Sequence, residues 1–195
     1  MFTDTVFTEV PILETENYLL RGLTMEDAAE LFAFMRDKET MKFITARPVQ
    51  SVEDMEAKVQ EQLDSYEQGK EIPWVIVEKW SETVVVQFSL HKLNMWHKKA
   101  EMGVTIKKEY QNKGVMTEIL EEVLVFFFET LELNRIVGDV FAGNQWSAKL
   151  LKKYGFTKEG VMRQTDFDGE RYHDTVVFSM MRSEYESISV KAKHS

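Results

Sequence analysis

Ala100-Glu-Met-Gly-Val-Thr-Ile-Lys-Lys-Glu-Tyr-Gln-Asn-Lys-Gly-Val-Met-Thr-Glu118 is the stretch around which the rest of the chain can be organised. Its first part, Ala100 to Ile106, is a β-rich run and predicts a strand. Its last part leads into a segment that places Met116, Ile119, Leu120, Val123, Phe127 and Leu131 at helical steps, a wide apolar face suited to packing on a sheet. Between them lies the junction Gln111-Asn112-Lys113-Gly114-Val115-Met116. A helix that follows a strand presents unpaired N–H groups and the positive end of its dipole, so its first turn can hold a phosphate. Gly114 lets main chain approach a ligand with no Cβ in the way, and Lys113 adds positive charge. Taken alone the loop is a weak signal. It matches neither the three-glycine dinucleotide fingerprint nor a P-loop ending in Gly-Lys-Ser/Thr, and a lone glycine at such a junction is usually a turn residue.

Working outward, Leu19 to Leu23 reads as a first strand, and Thr24 with Asp27 marks a helix start continued by Ala28, Leu31, Phe32 and Met35. Ser51 is a plausible N-cap for a second helix reaching about Gly69. The period then changes: Trp74 to Lys79, Thr83 to His91 and Ala100 to Ile106 form a meander of strands. Downstream come a strand from Arg135 to Ala142 and a short helix from Asn144 to Tyr154, closed by Gly155 where a left-handed cap is expected. Two last strands, Phe156 to Phe167 and Tyr172 to Met181, flank the turn at Asp168-Gly169. The strand–helix–strand unit from Ala100 to Ala142 predicts a right-handed crossover between parallel strands. Short connections elsewhere favour antiparallel pairing. The expected class is α+β, a mixed and mostly antiparallel sheet of about seven strands with helices on both faces. One domain is expected over residues 1–182, followed by a polar, frayed tail over 183–195.

Composition narrows the function. The chain has 195 residues, 44% hydrophobic and 29% charged, as in a globular protein with a substantial core. It contains no cysteine, which excludes disulfides, Cys-ligated metal centres and a Cys nucleophile. A net charge of -9 argues against a nucleic-acid partner. Such acidity serves solubility first, and it also draws cationic partners inward. Met1 to Val10 shows no export signal and the longest apolar run, Val123 to Phe128, is too short for a membrane span, so a cytoplasmic protein without membrane contact is expected. The histidines are not at metal-ligand spacing, so no metal is expected.

Read in its surroundings, the segment from Ala100 to Glu118 resembles the acetyl-CoA-binding motif of the GNAT superfamily, in the ribosomal-protein N-acetyltransferase branch. Leu131 to Ile136, Asn144-Gln-Trp-Ser147, Leu151 to Phe156, Glu159-Gly160 and Arg171-Tyr-His-Asp174 follow in that branch's order. Leu13 to Glu16, Leu19 to Arg21 and Glu26 to Ala28 resemble its opening strand and helix. The resemblance implies acetyl transfer from acetyl-CoA to a primary amine, either a protein N-terminus or a small molecule, by direct attack without a covalent enzyme intermediate. It implies that amides from Gln111, Asn112, Lys113, Gly114, Val115, Met116 and Thr117 bind the pyrophosphate. Main chain of Val104, Thr105 and Ile106 would pair with the pantetheine arm, Asn144 would bond that arm from the other side, and the parallel strands would splay to admit it. A monomer or homodimer is implied as well.

Three positions depart from the family pattern. Met116 stands where Gly or Ala is frequent, and Val86-Gln87 replaces a strand glycine. Leu151 stands where many relatives carry a tyrosine as general acid. Acetyl transfer needs a neutral amine, donors for the developing oxyanion and a proton for the departing thiolate. Glu101 lies where some relatives carry the general base, and it equally suits a structural salt bridge between strands. Ser147 suits the proton donor to sulfur, and it equally suits a hydrogen bond within the first turn of its helix. Tyr154 reads as a packing residue, His91 as a structural histidine near the site, and Phe126-Phe127-Phe128 as core. Missing parts of the acid–base set leave room for an alternative, a non-catalytic acyl-CoA-binding sensor.

Overall fold

The computed structural model of the chain describes residues 8–193. Residues 1–7, part of the stretch read above for an export signal, lie outside the described residues. In chain order the strands are β1 (Leu13–Glu14), β2 (Tyr18–Gly22), β3 (Ile72–Glu78), β4 (Val84–Asn94), β5 (Lys99–Ile106), β6 (Arg135–Phe141), β7 (Thr157–Phe167) and β8 (Tyr172–Met181). The helices are α1 (Ala28–Met35), α2 (Lys38–Met41), α3 (Val52–Glu67), α4 (Val115–Val125), α5 (Gln145–Lys153) and α6 (Arg182–Lys193). Among the described residues no helix is long and apolar enough to cross a membrane.

One sheet holds all the strands in the order β1-β2-β3-β4-β5-β6-β8-β7. Every neighbouring pair is antiparallel except β5 and β6, which are joined through α4 and run parallel. The α+β class and the single parallel crossover are as the sequence predicts. The extra strand is β1, whose two residues carry too little pattern to be read in advance.

Alternation within the strands assigns the faces. In β3, Ile72, Trp74 and Ile76 point into a large core with α4, Phe126, Phe127 and Phe128, while Val75 and Val77 point into a second core with α1 and α3. Both faces of β3 are therefore covered, which is why its sequence reads as a continuous apolar run. Trp74 meets Phe126 edge-on at 5.8 Å and donates its indole N–H to Pro11 O at 2.7 Å. The aromatic run is core, with Phe127 fully buried. It continues α4 as a five-residue π-turn, Phe126–Thr130, with Leu131 N–H donating to Phe126 O.

Capping follows the residues chosen for it. Ser51 Oγ accepts from Asp54 N–H at 3.1 Å and Asp54 Oδ2 accepts from Ser51 N–H at 3.2 Å, a reciprocal box opening α3. Gly155 takes φ +88 after α5, and Phe156 N–H returns to Leu151 O at 3.0 Å. The expected frayed tail is a correction. Arg182–Lys193 form α6, because Glu184 accepts from Met181 N–H at 2.8 Å and Tyr185 stacks on Phe128 at 4.8 Å; residues 194–195 of that tail lie outside the described residues. Periodicity had little to show there, since a single aromatic anchors the helix.

The start of the helical layer rests on a buried ion pair. Arg21 donates to both oxygens of Asp27 at 2.7 and 2.9 Å, and Thr24 N–H donates to the same carboxylate at 2.8 Å. Burial alone would raise the Asp27 carboxyl, but the bonds from Arg21 and Thr24 outweigh it and hold it below the ordinary value. A depressed folded value contributes stability that is present above the unfolded pKa, about 3.9, and is lost as pH falls through the folded one. Asp27→Asn is predicted to cost about 2 kcal/mol at neutral pH. Urea unfolding should show that gap shrinking below about pH 4; a gap independent of pH would contradict the ion-pair account.

Candidate active site

Strands β5 and β6 pair only through Lys99, Ala100 and Glu101 with Arg135, Ile136 and Val137. Beyond that point they separate, while β5 stays paired with β4 as far as Ile106. The edge of β5 from Met102 onward thus has main-chain groups without a strand partner on one side. Gly138 lies at the parting: a Cβ there would lie 3.0 Å from Leu151 Cδ1, so a larger residue would require that side chain to shift by a few tenths of an ångström, and Met102 Cε would be in ordinary contact at 3.7 Å. Leu151, which stands where many relatives carry a tyrosine, is here a packing residue at the split.

A cavity of about 930 Å³ runs through this gap. On one side it reaches the loop before α4. Asn112 and Gly114 both take left-handed backbone, at φ +60 and φ +82. The first amides bonded within the helix are those of Thr117 and Glu118, which donate to Gly114 O. Among the described residues, the amides from Asn112 to Met116 donate to no backbone acceptor. The loop is pinned to β5 by Gln111 Nε2, which donates to Ile106 O at 3.2 Å. Asn17 steadies the first turn by donating its N–H and amide to the Glu118 carboxylate at 2.8 and 3.0 Å.

Of the residues predicted for the site, Glu101, Val104, Thr105, Ile106, Gln111, Asn112, Met116, Asn144 and Ser147 line this one cavity. Lys113, Gly114, Val115 and Thr117 do not line it. Lys113 lies over the Tyr110 ring at 5.7 Å, Val115 is buried in the core, and Thr117 O accepts from Tyr154. Their part in any anion site is confined to main-chain N–H groups.

Asn144 caps α5, its Oδ1 accepting from Ser147 N–H at 3.1 Å. The first-turn bond expected of Ser147 is therefore made by its amide, and among the described residues its hydroxyl has no partner. Tyr154 points away from the cavity. Its hydroxyl donates to Thr117 O at 2.7 Å and meets Glu121 at 2.9 Å, and burial with the Glu121 contact pushes its pKa up to about 12. It ties α5 to the first turn of α4.

The opposite end is charged. Glu101 accepts from Lys92 Nζ at 2.7 Å and lies 3.7 Å from His91 Nε2 across the β4–β5 pair. Burial pushes the His91 imidazole below its ordinary value against the pull of Glu101. Asp139 on β6, Asp166 on β7 and Asp168 in the last turn line the same cavity. Amides of Arg171 and Glu170, with His173, hold Asp168 far below the usual carboxylate range. Asp139 moves the other way, raised by burial and then by Glu101. Phe43, in the loop after α2, closes this end over Phe141 at 5.7 Å. Asp139 and the 40–46 segment were not picked out from sequence. Asp139 could have been, since it interrupts an apolar strand on the face carrying Val137; the loop has no periodic signal.

A mixed sheet parted at its parallel pair, with unpaired helix amides on one side of the parting, is the arrangement that the acetyltransferase resemblance implied. The acetyltransferase (GNAT) domain model matches residues 17–157, and the chain belongs to that family. The uncharacterized N-acetyltransferase YoaA of Bacillus subtilis (strain 168) is 32% identical over 172 residues, covering 88% of this chain and 97% of that protein. Spermidine N(1)-acetyltransferase of Vibrio cholerae is 23% identical over 166 residues, covering 85% of this chain and 94% of that protein. Among solved structures, the ribosomal-protein acetyltransferase RimL in complex with coenzyme A superposes with a TM-score of 0.80 at 19% identity, covering 88% of this chain and 98% of that one. The chain is thus an N-acetyltransferase, and enzymes of this family take the acetyl group from acetyl-CoA.

The residues present suit that co-substrate: free amides at a left-handed turn for phosphate, an unpaired strand edge for an amide-bearing arm, and a cavity leading between them. Gly114→Val is predicted to weaken coenzyme A binding at least tenfold, about 1.4 kcal/mol. An added Cβ would meet nothing within 4 Å in the protein itself, so the loss would come from φ +82 and from ligand approach. Calorimetric titration giving wild-type affinity would remove this loop from the site.

Proposed function

We propose that the acceptor is a primary amine on a cationic molecule, with small polyamines as the first class to test. The observation that carries this reading is the charge of the acceptor end, where Glu101, Asp139, Asp166 and Asp168 line the cavity against Lys42 and Lys92. Likeness to a spermidine acetyltransferase supports it, and likeness to a ribosomal-protein-serine acetyltransferase makes a protein N-terminus the second class. A protein of net charge -9 also attracts such molecules at long range.

Roles follow from position. Amides from Asn112 to Met116 bind the diphosphate, with Gln111 fixing the loop. Val104, Thr105 and Ile106 offer main-chain groups to the pantetheine arm, and Asn144 holds it from α5. Acetyl-CoA, when bound, supplies an activated thioester. Ser147 places a free hydroxyl on the α5 side and delivers a proton to the departing sulfur. Glu101, held by Lys92 at 2.7 Å, keeps a fixed negative charge beside the amine and ties β4 to β5. That pairing favours the salt-bridge reading of Glu101 over the general-base one.

Coenzyme A thiol release should distinguish acceptors. Spermidine and spermine are predicted to exceed neutral-tailed amines by about tenfold in kcat/KM, with the advantage falling as salt rises. Preference for a neutral amine at low salt would contradict the acceptor class, and tight binding without release would favour the sensor alternative. Ser147→Ala is predicted to lower kcat by about a hundredfold with little change in coenzyme A affinity. Unchanged kcat would remove Ser147 from the chemistry.

A further inference from the structure

Four carboxylates line the acceptor end of the cavity, and three are already committed. Glu101 accepts from Lys92 at 2.7 Å. Asp166 accepts from the hydroxyls of Thr165 and Thr175. Asp168 accepts from the amides of Glu170 and Arg171 and meets His173. Asp139 is different: among the described residues its side chain makes no hydrogen bond and no ion pair.

Its place in the sheet is equally particular. Glu101 is the last β5 residue paired with β6, opposite Val137. Asp139 lies two residues beyond Val137, so it shares that face of the sheet and stands just past the point where the strands part. The intervening Gly138 faces the other way, toward Leu151 on α5. Asp139 and Ser147 therefore line one cavity from opposite faces of the split. The incoming amine and the departing sulfur are different substituents of the tetrahedral carbon, so one group can serve each of them from its own side of the cavity. Charged and titratable groups facing Asp139 are Glu101 on β5, His91 and Lys92 on β4, and Asp166 on β7. Lys42 and Asp168 line the cavity further out.

We propose that Asp139 is the carboxylate that receives the acceptor's ammonium group and takes a proton from it before acetyl transfer. This rests on the amine acetyltransferase reading above. The ammonium gives one proton to Asp139 and becomes a neutral amine. Its lone pair forms the C–N bond, the C–S bond breaks with its electrons on sulfur, and the amine's second departing proton ends on that sulfur. Asp139 then releases its proton to solvent, so the net products are the amide, coenzyme A thiol and one proton. The Glu101 carboxylate nearby makes a proton on Asp139 less costly. Asp139 is solvent-exposed, and partial desolvation with that neighbour raises its proton affinity, which moves it toward the task.

The test is kinetics of Asp139→Asn and Asp139→Glu with acetyl-CoA and spermidine from about pH 7 to about pH 10, with coenzyme A affinity measured alongside. Asp139→Asn should lose about a hundredfold or more in kcat/KM for the amine near pH 7. The loss should shrink as pH approaches the amine's own pKa, about 10, where solvent supplies the neutral amine. Coenzyme A affinity should stay within about twofold, and Asp139→Glu should recover part of the rate at neutral pH. A variant within about threefold of wild type at every pH overturns the assignment, and so does a loss that stays constant with pH. If wild type turns over no amine at all, the acceptor reading itself fails; if wild type is active and Asp139→Asn equally so, only this role for Asp139 does.

Discussion

Everything in the site depends on the place where two parallel strands stop pairing. Three residues of β5 are held by three of β6, and then the ladder ends although both strands continue. Unpaired main-chain groups buried without water would each cost about 1–3 kcal/mol. Here they face a cavity, where solvent or a bound arm can satisfy them. At the parting Leu151 is seated against Gly138, with Met102 nearby. The main-chain groups that the strands leave unpaired there become a recognition surface.

Charge is divided across the same line. On the α4 side the opening is bordered by amides and a helix N-terminus, and on the other side by carboxylates. A cofactor ending in phosphates and an acceptor bearing ammonium groups are each directed to a different end by simple electrostatics. Between them apolar side chains form part of the wall, with Met102, Val104, Leu150 and Leu151 among the lining. Lower polarity there strengthens the few charged contacts that operate inside.

Legibility in the sequence followed the physics of each element. Long periodic stretches such as α4, and strands buried on one or two faces, declared themselves through spacing. So did the caps at Ser51 and Gly155, because each meets a local need that few residues can fill. The loop before Gly114 was ambiguous alone and became readable only in the order of its neighbours. What could not be read were features created by tertiary contact. β1 has two residues, α6 is fixed by Tyr185 against Phe128, and Lys92 finds Glu101 only because a bulged hairpin brings them together. Asp139 was visible as an acid in an apolar strand, but its lack of a partner exists only in three dimensions.

The π-turn at Phe126–Thr130 carries one more consequence. It inserts an extra backbone step between α4 and β6, and Asn134 and Arg135 N–H groups then meet Lys98 O at 2.6 and 3.1 Å to fix where β6 begins. Removing one residue there would restore the ordinary helical ladder but rotate all that follows by roughly 100°. Leu133 would leave the core, and the short parallel pairing would slide out of step. This linker therefore accepts changes of side chain far more readily than changes of length.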